Sequence, residues 1–456
     1  MEKKEDNEQN SKKECASGMD TQNGSIMNWG RMHLQSFLSV LSSKELGPGE
    51  VTAIAMSLVF GSFVIVLPYT VNLVGLPIWI ITFIVVILLV SYSNHLMNES
   101  CLRMLEEYKG EEFVRAPQMK IAKLAGGNAF QKLVVGALYT NFAFFAISLI
   151  LVASTVLGEI VSVPGISEIN SVRCWVVIST VCIFPLVQLG FYKDLKQSAF
   201  IALTTSYMAL LVILCTSAYI LLIGKIPTES DSKYIHPYPG NVFRVFGTVF
   251  YAVGGITVTT PEIIVFANEP KKMDQSIFVA YTMLTVIYMG YSIIMYGVFR
   301  GSMKPTTTAT LLQAIELNGN AAIPRTCIFI VQLGISLHFM LAAVLFLNPL
   351  FTNIESNFKM PVEFTWKRFV LRSCVLLAVT TVCLLLPNFQ SVVSLMGGTV
   401  LVLSSTILPI IMYARLHELT TSKKIFLFFA CLFAAVCMVG NFVVSTQDMV
   451  NGVALS

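Results

Sequence analysis

The sequence predicts an all-α, polytopic membrane protein with about eleven transmembrane helices, and three observations carry that prediction. Apolar residues make up 55% of the 456-residue chain and charged residues only 12%, against about 25% charged in a water-soluble domain. The apolar residues gather into runs near the ~20 that a helix needs to cross a bilayer. Lys and Arg, 30 in all, crowd onto alternate connecting segments, the asymmetry that marks a cytoplasmic face. Mean hydropathy is +0.73, and a water-soluble fold of this size has no way to hide so much apolar surface, so lipid must be the solvent for much of it.

The elements follow in order. Residues 1–48 are polar, rich in Lys, Glu, Asn and Ser, with no apolar stretch before Leu34. They are expected to be a disordered cytoplasmic tail without a cleavable signal. A helical domain is expected over 49–446 and a short extracellular or lumenal tail over 447–456. Within the domain the apolar runs place spans at 50–75, 77–98, 130–158, 172–190, 198–223, 243–267, 277–299, 326–352, 369–387, 390–414 and 425–446. With the N-terminus inside, only Arg173, Lys225, Lys233, Arg244, Arg300, Lys304 and Arg325 fall outside. Shifting the count by one span scrambles this asymmetry, so it supports both the orientation and the odd helix number. The sequons at Asn23 and Asn98 then lie inside and stay unglycosylated. The charged segment 101–129 has room for a short amphipathic helix on the membrane surface, interrupted by Pro117 and Gly126–Gly127.

Several chemistries are excluded. The ten cysteines are scattered, with no Cys-x-x-Cys pair and no Cys/His cluster at zinc spacing. Cys101, Cys182, Cys215, Cys374, Cys383, Cys431 and Cys437 sit in or beside apolar runs and read as packing residues. There is no phosphate loop, no HExxH and no recognisable nucleophile–base spacing. An enzyme is therefore not expected, nor a metal, a cofactor or a nucleic-acid partner.

Two spans carry interior helix breakers. Span 1 contains the run Gly61 to Pro68, and Pro68 has no N–H to continue the ladder. Span 6 contains Gly254-Gly255, then Thr259-Thr260-Pro261-Glu262. Spans 1 and 6 are five apart, and interrupted helices at matching positions of two halves point to a solute-binding site at the midplane. Free N–H groups there suit a carboxylate, and free C=O groups suit an ammonium or a cation. The plainer alternative is that the breakers mark only kinks.

At these segments the chain resembles the amino acid/auxin permease family, nearest to its proton-coupled amino acid transporter branch, over residues 48–445. Gly61 to Tyr69 is similar to the family's G-x-G-x-x-G-L-P-Y run. Phe250 to Gly255, Pro261-Glu262 and Asn268 to Lys272 resemble its helix 6 and basic exit. Asn348-Pro349-Leu350 matches near the end of helix 8. Leu386 to Phe389, Ser394 to Gly398 and Leu408-Pro409 look like its helix 9 and 10 signature. The resemblance implies an inverted five-plus-five repeat core of the LeuT/APC-like type with broken helices 1 and 6, plus an extra C-terminal helix. It also implies amino acid transport coupled to protons or sodium. This chain departs from the pattern by placing Phe63 and Val66 where the family usually has glycine. The run Met56 to Phe60 lacks the Asn that sodium-coupled members carry, which argues against sodium. The helix 1 His of some proton-coupled members is absent as well.

The candidate residues follow. Substrate-binding candidates are Gly61, Ser62, Phe63, Val64, Tyr139, Gly254 and Gly255. Glu262 and His338 are candidates for proton coupling or gating. For Glu262 the alternative is structural, in the first turn of a half-helix capped by Thr260 with Pro261 next. For His338 it is an ordinary interhelical hydrogen bond. Cys174 and Cys327 fall at the outer ends of spans 4 and 8, where a disulfide as in the resembled branch competes with two free thiols. The expected function is a proton-coupled or passive secondary transporter of small neutral amino acids, in the plasma membrane or an endolysosomal or vesicular membrane. A non-transporting amino-acid sensor and a vesicular exchanger of transmitter-like amino acids are the alternatives. The expected partners are the amino acid, a coupling proton and the lipid bilayer.

Overall fold

Apolar runs of more than about twenty residues can satisfy their backbone in lipid only as helices. A computed structural model of the protein describes residues 46–108, 117–160, 168–189, 195–223, 239–319, 322–360, 365–386 and 389–451, without the side chains of 62–64, 168–169, 189, 195–199, 223, 322–323 and 450–451. Helix α1 (Pro48–Val74) starts with Pro48 at its first position and with the Gly47 N–H donating to Glu50 Oε2 at 2.9 Å. Gly75, at φ +78°, ends α1 and opens α2 (Leu76–Glu107) in a backbone conformation that glycine adopts without strain. There follow α3 (Pro117–Ile160), α4 (Glu168–Leu189), α5 (Leu195–Ile223), α6 (Pro239–Ile264), α7 (Met273–Phe299), α8 (Thr307–Leu317), α9 (Ala322–Asn357) and α10 (Trp366–Leu385). The next span joins α11 (Phe389–Leu395) through two π-helical stretches, Met396–Leu401 and Leu403–Ile407, to α12 (Leu408–Leu416), and α13 (Thr421–Asn451) comes last.

Ten of these helical segments are long and apolar enough to cross a bilayer, and the bent α1 makes eleven. α6 lies at the centre, with 83% of its apolar window buried, whereas α13 lies on the rim with 22%. Ile81, Leu88, Phe428 and Phe429 are exposed on the outside, where lipid rather than water meets them. Close approach explains the π-helical stretch beside α6. A side chain at Gly397 would run into the Gly247 carbonyl and Tyr251 of α6, so only glycine lets the two backbones touch.

The elements depart from expectation in four places. α6 runs unbroken through Gly254-Gly255 to Ile264. Pro261 falls in its last turn, where the missing N–H costs a single bond. The segment after Pro117 is not a surface helix: Pro117, Gln118, Met119, Ile121 and Ala122 are buried, and Gln118 Nε2 donates to Val258 O of α6 at 2.8 Å. The expected interruption at Gly126–Gly127 is present, with non-helical φ/ψ at both. α8 is an extra element, started by the Thr306 hydroxyl accepting from Ala309 N at 3.2 Å. The tail expected at 1–48 lies outside the described residues except where α1 begins.

α13 continues beyond residue 446 because Asp448 is tied to the chain's interior. Both Asp448 oxygens accept from Arg244 of α6, whose Nη1 also donates to Asn241 Oδ1 at 2.6 Å. The side chains are 8% and 15% exposed. Breaking a buried pair by removing one partner costs about 3–5 kcal/mol. Asp448→Ala, or truncation before residue 448, is expected to lower the thermal unfolding midpoint in detergent by several degrees. Asp448→Glu is expected to recover most of that loss.

Candidate functional site

The bend in α1 organises the site. Pro48–Gly61 and Ile65–Val74 are inclined by 60°, and Pro68 offers no N–H to the Val64 carbonyl. Carbonyls on both sides of the bend take side-chain donors from neighbouring elements. The Tyr288 hydroxyl of α7 donates to Val59 O at 3.2 Å, and the Thr307 hydroxyl of α8 donates to Ile65 O at 3.1 Å.

Gly61 meets His338. A Cβ on Gly61 would clash with the Nε2–Cδ2 edge of the imidazole, so the ring of α9 lies directly on the α1 backbone. His338 is 2% exposed, and its Nδ1 is 3.3 Å from Ser206 Oγ on α5. The Ser206 hydroxyl proton goes to Ala202 O at 2.9 Å. Ser206 Oγ can then only accept from the imidazole, so Nδ1 carries the proton of the neutral ring. Nε2 is left as a base aimed at the bend, and α1, α5 and α9 meet on one titratable side chain.

The adjoining wall comes from α6. A Cβ on Gly255 would come 3.2 Å from both Val59 Cγ1 of α1 and Phe145 Cζ of α3, while Gly254 gives room to Leu401. The two glycines serve close packing and do not interrupt the helix. Phe145 stacks on Phe346 of α9 with ring centroids 4.2 Å apart and 8° between planes. It also lies 5.5 Å from Tyr251, whose hydroxyl is 2.8 Å from Ser148 Oγ. Phe60 and Tyr207 complete an aromatic lining at 4.5 Å.

Sequence-predicted residues separate into two groups. Gly61 and His338 meet where α1 touches α9, Gly255 packs on Val59 of α1, and Gly254 faces Leu401. Ser62, Phe63 and Val64 occupy the bend itself, and their side chains lie outside the described residues. Tyr139 lies elsewhere: its hydroxyl accepts from Asn357 Nδ2 at 2.6 Å, at the other end of the α3–α9 seam. Six residues from Phe145, it is turned away by about 240° around the helix. Glu262 stands in the last turn of the continuous α6, and Thr260 gives its hydroxyl to Asn94 Oδ1 at 2.7 Å. The first-turn, capped half-helix expected around Glu262 is therefore absent. Near a helix C-terminus the dipole disfavours a carboxylate, and no cation pairs with Glu262 among the described residues. Cys174 and Cys327 are both free thiols, the first exposed on α4 and the second half-buried on α9, which is the second of the two alternatives the sequence left open. Ser206 and Phe145 went unnoticed in the sequence, where both look like ordinary helix residues. A cavity of about 470 Å³ lies on the flank between α2 and α7, beside the His95–Asp274 pair at 2.9 Å, and not at the α1 bend.

Among the described residues, a helical bundle of eleven bilayer-length spans, with the first bent at mid-length, defines a multi-pass integral membrane protein of the five-plus-five helix type. The fold is shared with the crystal structure of MhsT in complex with L-phenylalanine, with a TM-score of 0.53 over 87% of this chain and 98% of that one; at 12% identity the likeness is one of fold. Residues 45–451 match the model of the family described as transmembrane amino acid transporter protein, and the chain belongs to that family. Among curated relatives, it is 26% identical over 170 residues to Amino acid transporter AVT3B of Arabidopsis thaliana, 37% of each chain. It is 27% identical over 256 residues to GABA transporter 1 of Arabidopsis thaliana, which spans 53% of this chain and 55% of that one. The matches thus cover between about a third and about half of these relatives' length.

Proposed function

We propose that the protein is a secondary transporter of small neutral amino acids, coupled to protons and working by alternating access. The observation that carries the reading is the 60° bend of α1 with His338 seated on Gly61. As the bend opens, amides around Ser62, Phe63 and Val64 suit a carboxylate, and the Val64 carbonyl, left without a donor by Pro68, suits an ammonium. Because α6 is continuous, Gly254 and Gly255 contribute a close-packed wall to this site and no free carbonyls. The aromatic lining favours a small substrate over a bulky one. His338, set between α1 and the α5–α9 pair, is the group best placed to exchange a proton as those helices move. Glu262, without a cation among the described residues, is a second exchange point nearer the end where α1 begins. The family, and relatives named for amino acid and GABA transport, support this class of substrate. The clustering of Lys and Arg supports a cytoplasmic N-terminus.

Reconstitution in liposomes with a panel of radiolabelled amino acids tests this. Accumulation is expected to follow an imposed proton gradient and to be indifferent to sodium. Saturable binding with no flux under any gradient would overturn the reading in favour of a sensor.

A further inference from the structure

At the end of the bundle opposite the start of α1, three elements meet on Glu159, the penultimate residue of α3. Its Oε1 accepts from the Thr306 hydroxyl at 2.5 Å. Its Oε2 accepts from the Thr308 hydroxyl at 2.6 Å and from Gln332 Nε2 of α9 at 3.1 Å. Between those threonines, Thr307 donates to the Ile65 carbonyl in the second half of α1 at 3.1 Å. Three consecutive threonines therefore pin the start of α8 in two directions. The outer two bind the carboxylate, and the middle one holds the helix that bends at the site.

The carboxylate is met by donors alone. Arg173, Arg300, Lys304, Arg325 and Glu316, charged residues on elements around this end, are exposed, and the part-buried Arg244 and buried Asp448 at the same end pair with each other. None of them pairs with Glu159 among the described residues. Tyr291 of α7 is hydrogen-bonded to Thr307. A carboxylate accepts all three hydrogen bonds, whereas a carboxylic acid must donate one. Thr306 Oγ1 already accepts the Ala309 N–H, so a proton on Oε2 forces Thr308 to turn its hydroxyl from donor to acceptor and leaves the Gln332 N–H facing a protonated oxygen.

We propose that Glu159 is a proton-binding latch for this end of the transporter, an inference that rests on the transport reading. Ionised, Glu159 holds α8 down on α1. A proton from the solution at this end adds to a Glu159 oxygen with no other covalent change. It displaces the Thr308 and Gln332 donors, frees α8 from Ile65 and uncovers the path to the α1 bend. Proton entry and opening toward the proton-rich side are thereby one event.

The test uses the full-length chain with Cys174 and Cys327 replaced by Ser and a reporter at Leu311→Cys, a position buried beneath α8. Leu317→Cys, exposed on the same helix, is the reference for the reagent's own pH dependence. Relative to that reference, labelling at position 311 by a membrane-impermeant thiol reagent is expected to rise several-fold on acidification. Glu159→Gln should label at the high level at both acid and neutral pH and lose proton-driven accumulation. Glu159→Asp should keep the pH dependence. Labelling at position 311 that is indifferent to pH, or a Glu159→Gln protein that retains the full pH response, overturns the latch. If the unaltered chain moves no amino acid, the transport reading fails by itself, and labelling still decides whether Glu159 governs α8.

Discussion

Gly61→Ala is expected to cripple the protein, and His338→Ala is expected to repair part of the damage. The added methyl collides with the Nε2–Cδ2 edge of the His338 imidazole. That ring has little room to retreat, being 2% exposed and hydrogen-bonded to Ser206 on another helix. Overfilling a packed site costs about 1–3 kcal/mol, and at this position the cost falls on the helix bend that forms the binding site. Gly61→Ala should lower the unfolding temperature and reduce amino acid flux at least about tenfold, since ~1.4 kcal/mol of misplacement suffices for that factor. His338→Ala alone leaves a cavity and removes the base facing the bend. Combined, the two changes relieve the clash, so the double variant should be more stable than the sum of the single losses predicts, by roughly 0.5–3 kcal/mol. Flux in the double variant, if it returns, should no longer respond to a proton gradient. Strict additivity of the two stability losses in thermal unfolding would show that the residues do not touch and would remove His338 from the site.

What could be read from the sequence divides along physical lines. The spans were legible because lipid leaves an apolar run one way to satisfy its backbone, and the bend in α1 was legible because Pro68 removes a donor. The same logic misled at α6, where Gly254-Gly255 looked like a break. Glycine in a sequence does not say whether it loosens its own helix or admits a neighbour. In α6 it admits Leu401, Val59 and Phe145, contacts made by residues far away in the chain. α8 escaped notice because its threonine-rich start has no membrane-like hydropathy, although a Thr run ahead of Ala309-Thr310-Leu311-Leu312 is a visible capping signal. Glu159 escaped by a single residue, since the apolar run of span 3 was taken to end at 158. His338 was noticed as an ionisable group in a span. Its seat on Gly61 is a tertiary fact that no local pattern encodes.

Glu355→Ala is expected to produce the largest loss of stability of any change at the end where α1 begins. Glu355 Oε1 accepts from Arg372 Nε at 2.7 Å and from Arg368 Nε at 3.0 Å. The side chains of Arg372, Glu355 and Arg368 are 1%, 9% and 11% exposed. Arg372 Nη1 also donates to Val187 O of α4 at 2.7 Å, and its guanidinium lies 5.1 Å from the Phe351 ring centroid. Removing the carboxylate leaves two like charges in a site that little water reaches, a loss of about 3–5 kcal/mol. Arg372→Met should cost less, because Arg368 remains to neutralise Glu355 and the methionine chain fills much of the space left over Phe351. Replacing Glu355 and Arg372 together with leucine and methionine should fall nearer the unaltered protein than Glu355→Ala does, since apolar replacement of a buried pair is often nearly neutral. Arg368, at 11% exposure, can still turn toward the headgroups. The order of the three thermal midpoints is therefore the measurement. It should run from the single carboxylate loss at the bottom, through Arg372→Met, to the double replacement. Substrate affinity of whatever folds should change little, because this triad lies on α9 and α10 away from the bend at Gly61. If Glu355→Ala unfolds at the unaltered temperature, water reaches the triad and the charges hold nothing together. A selective loss of affinity with stability intact would instead move the substrate path to this side of α9.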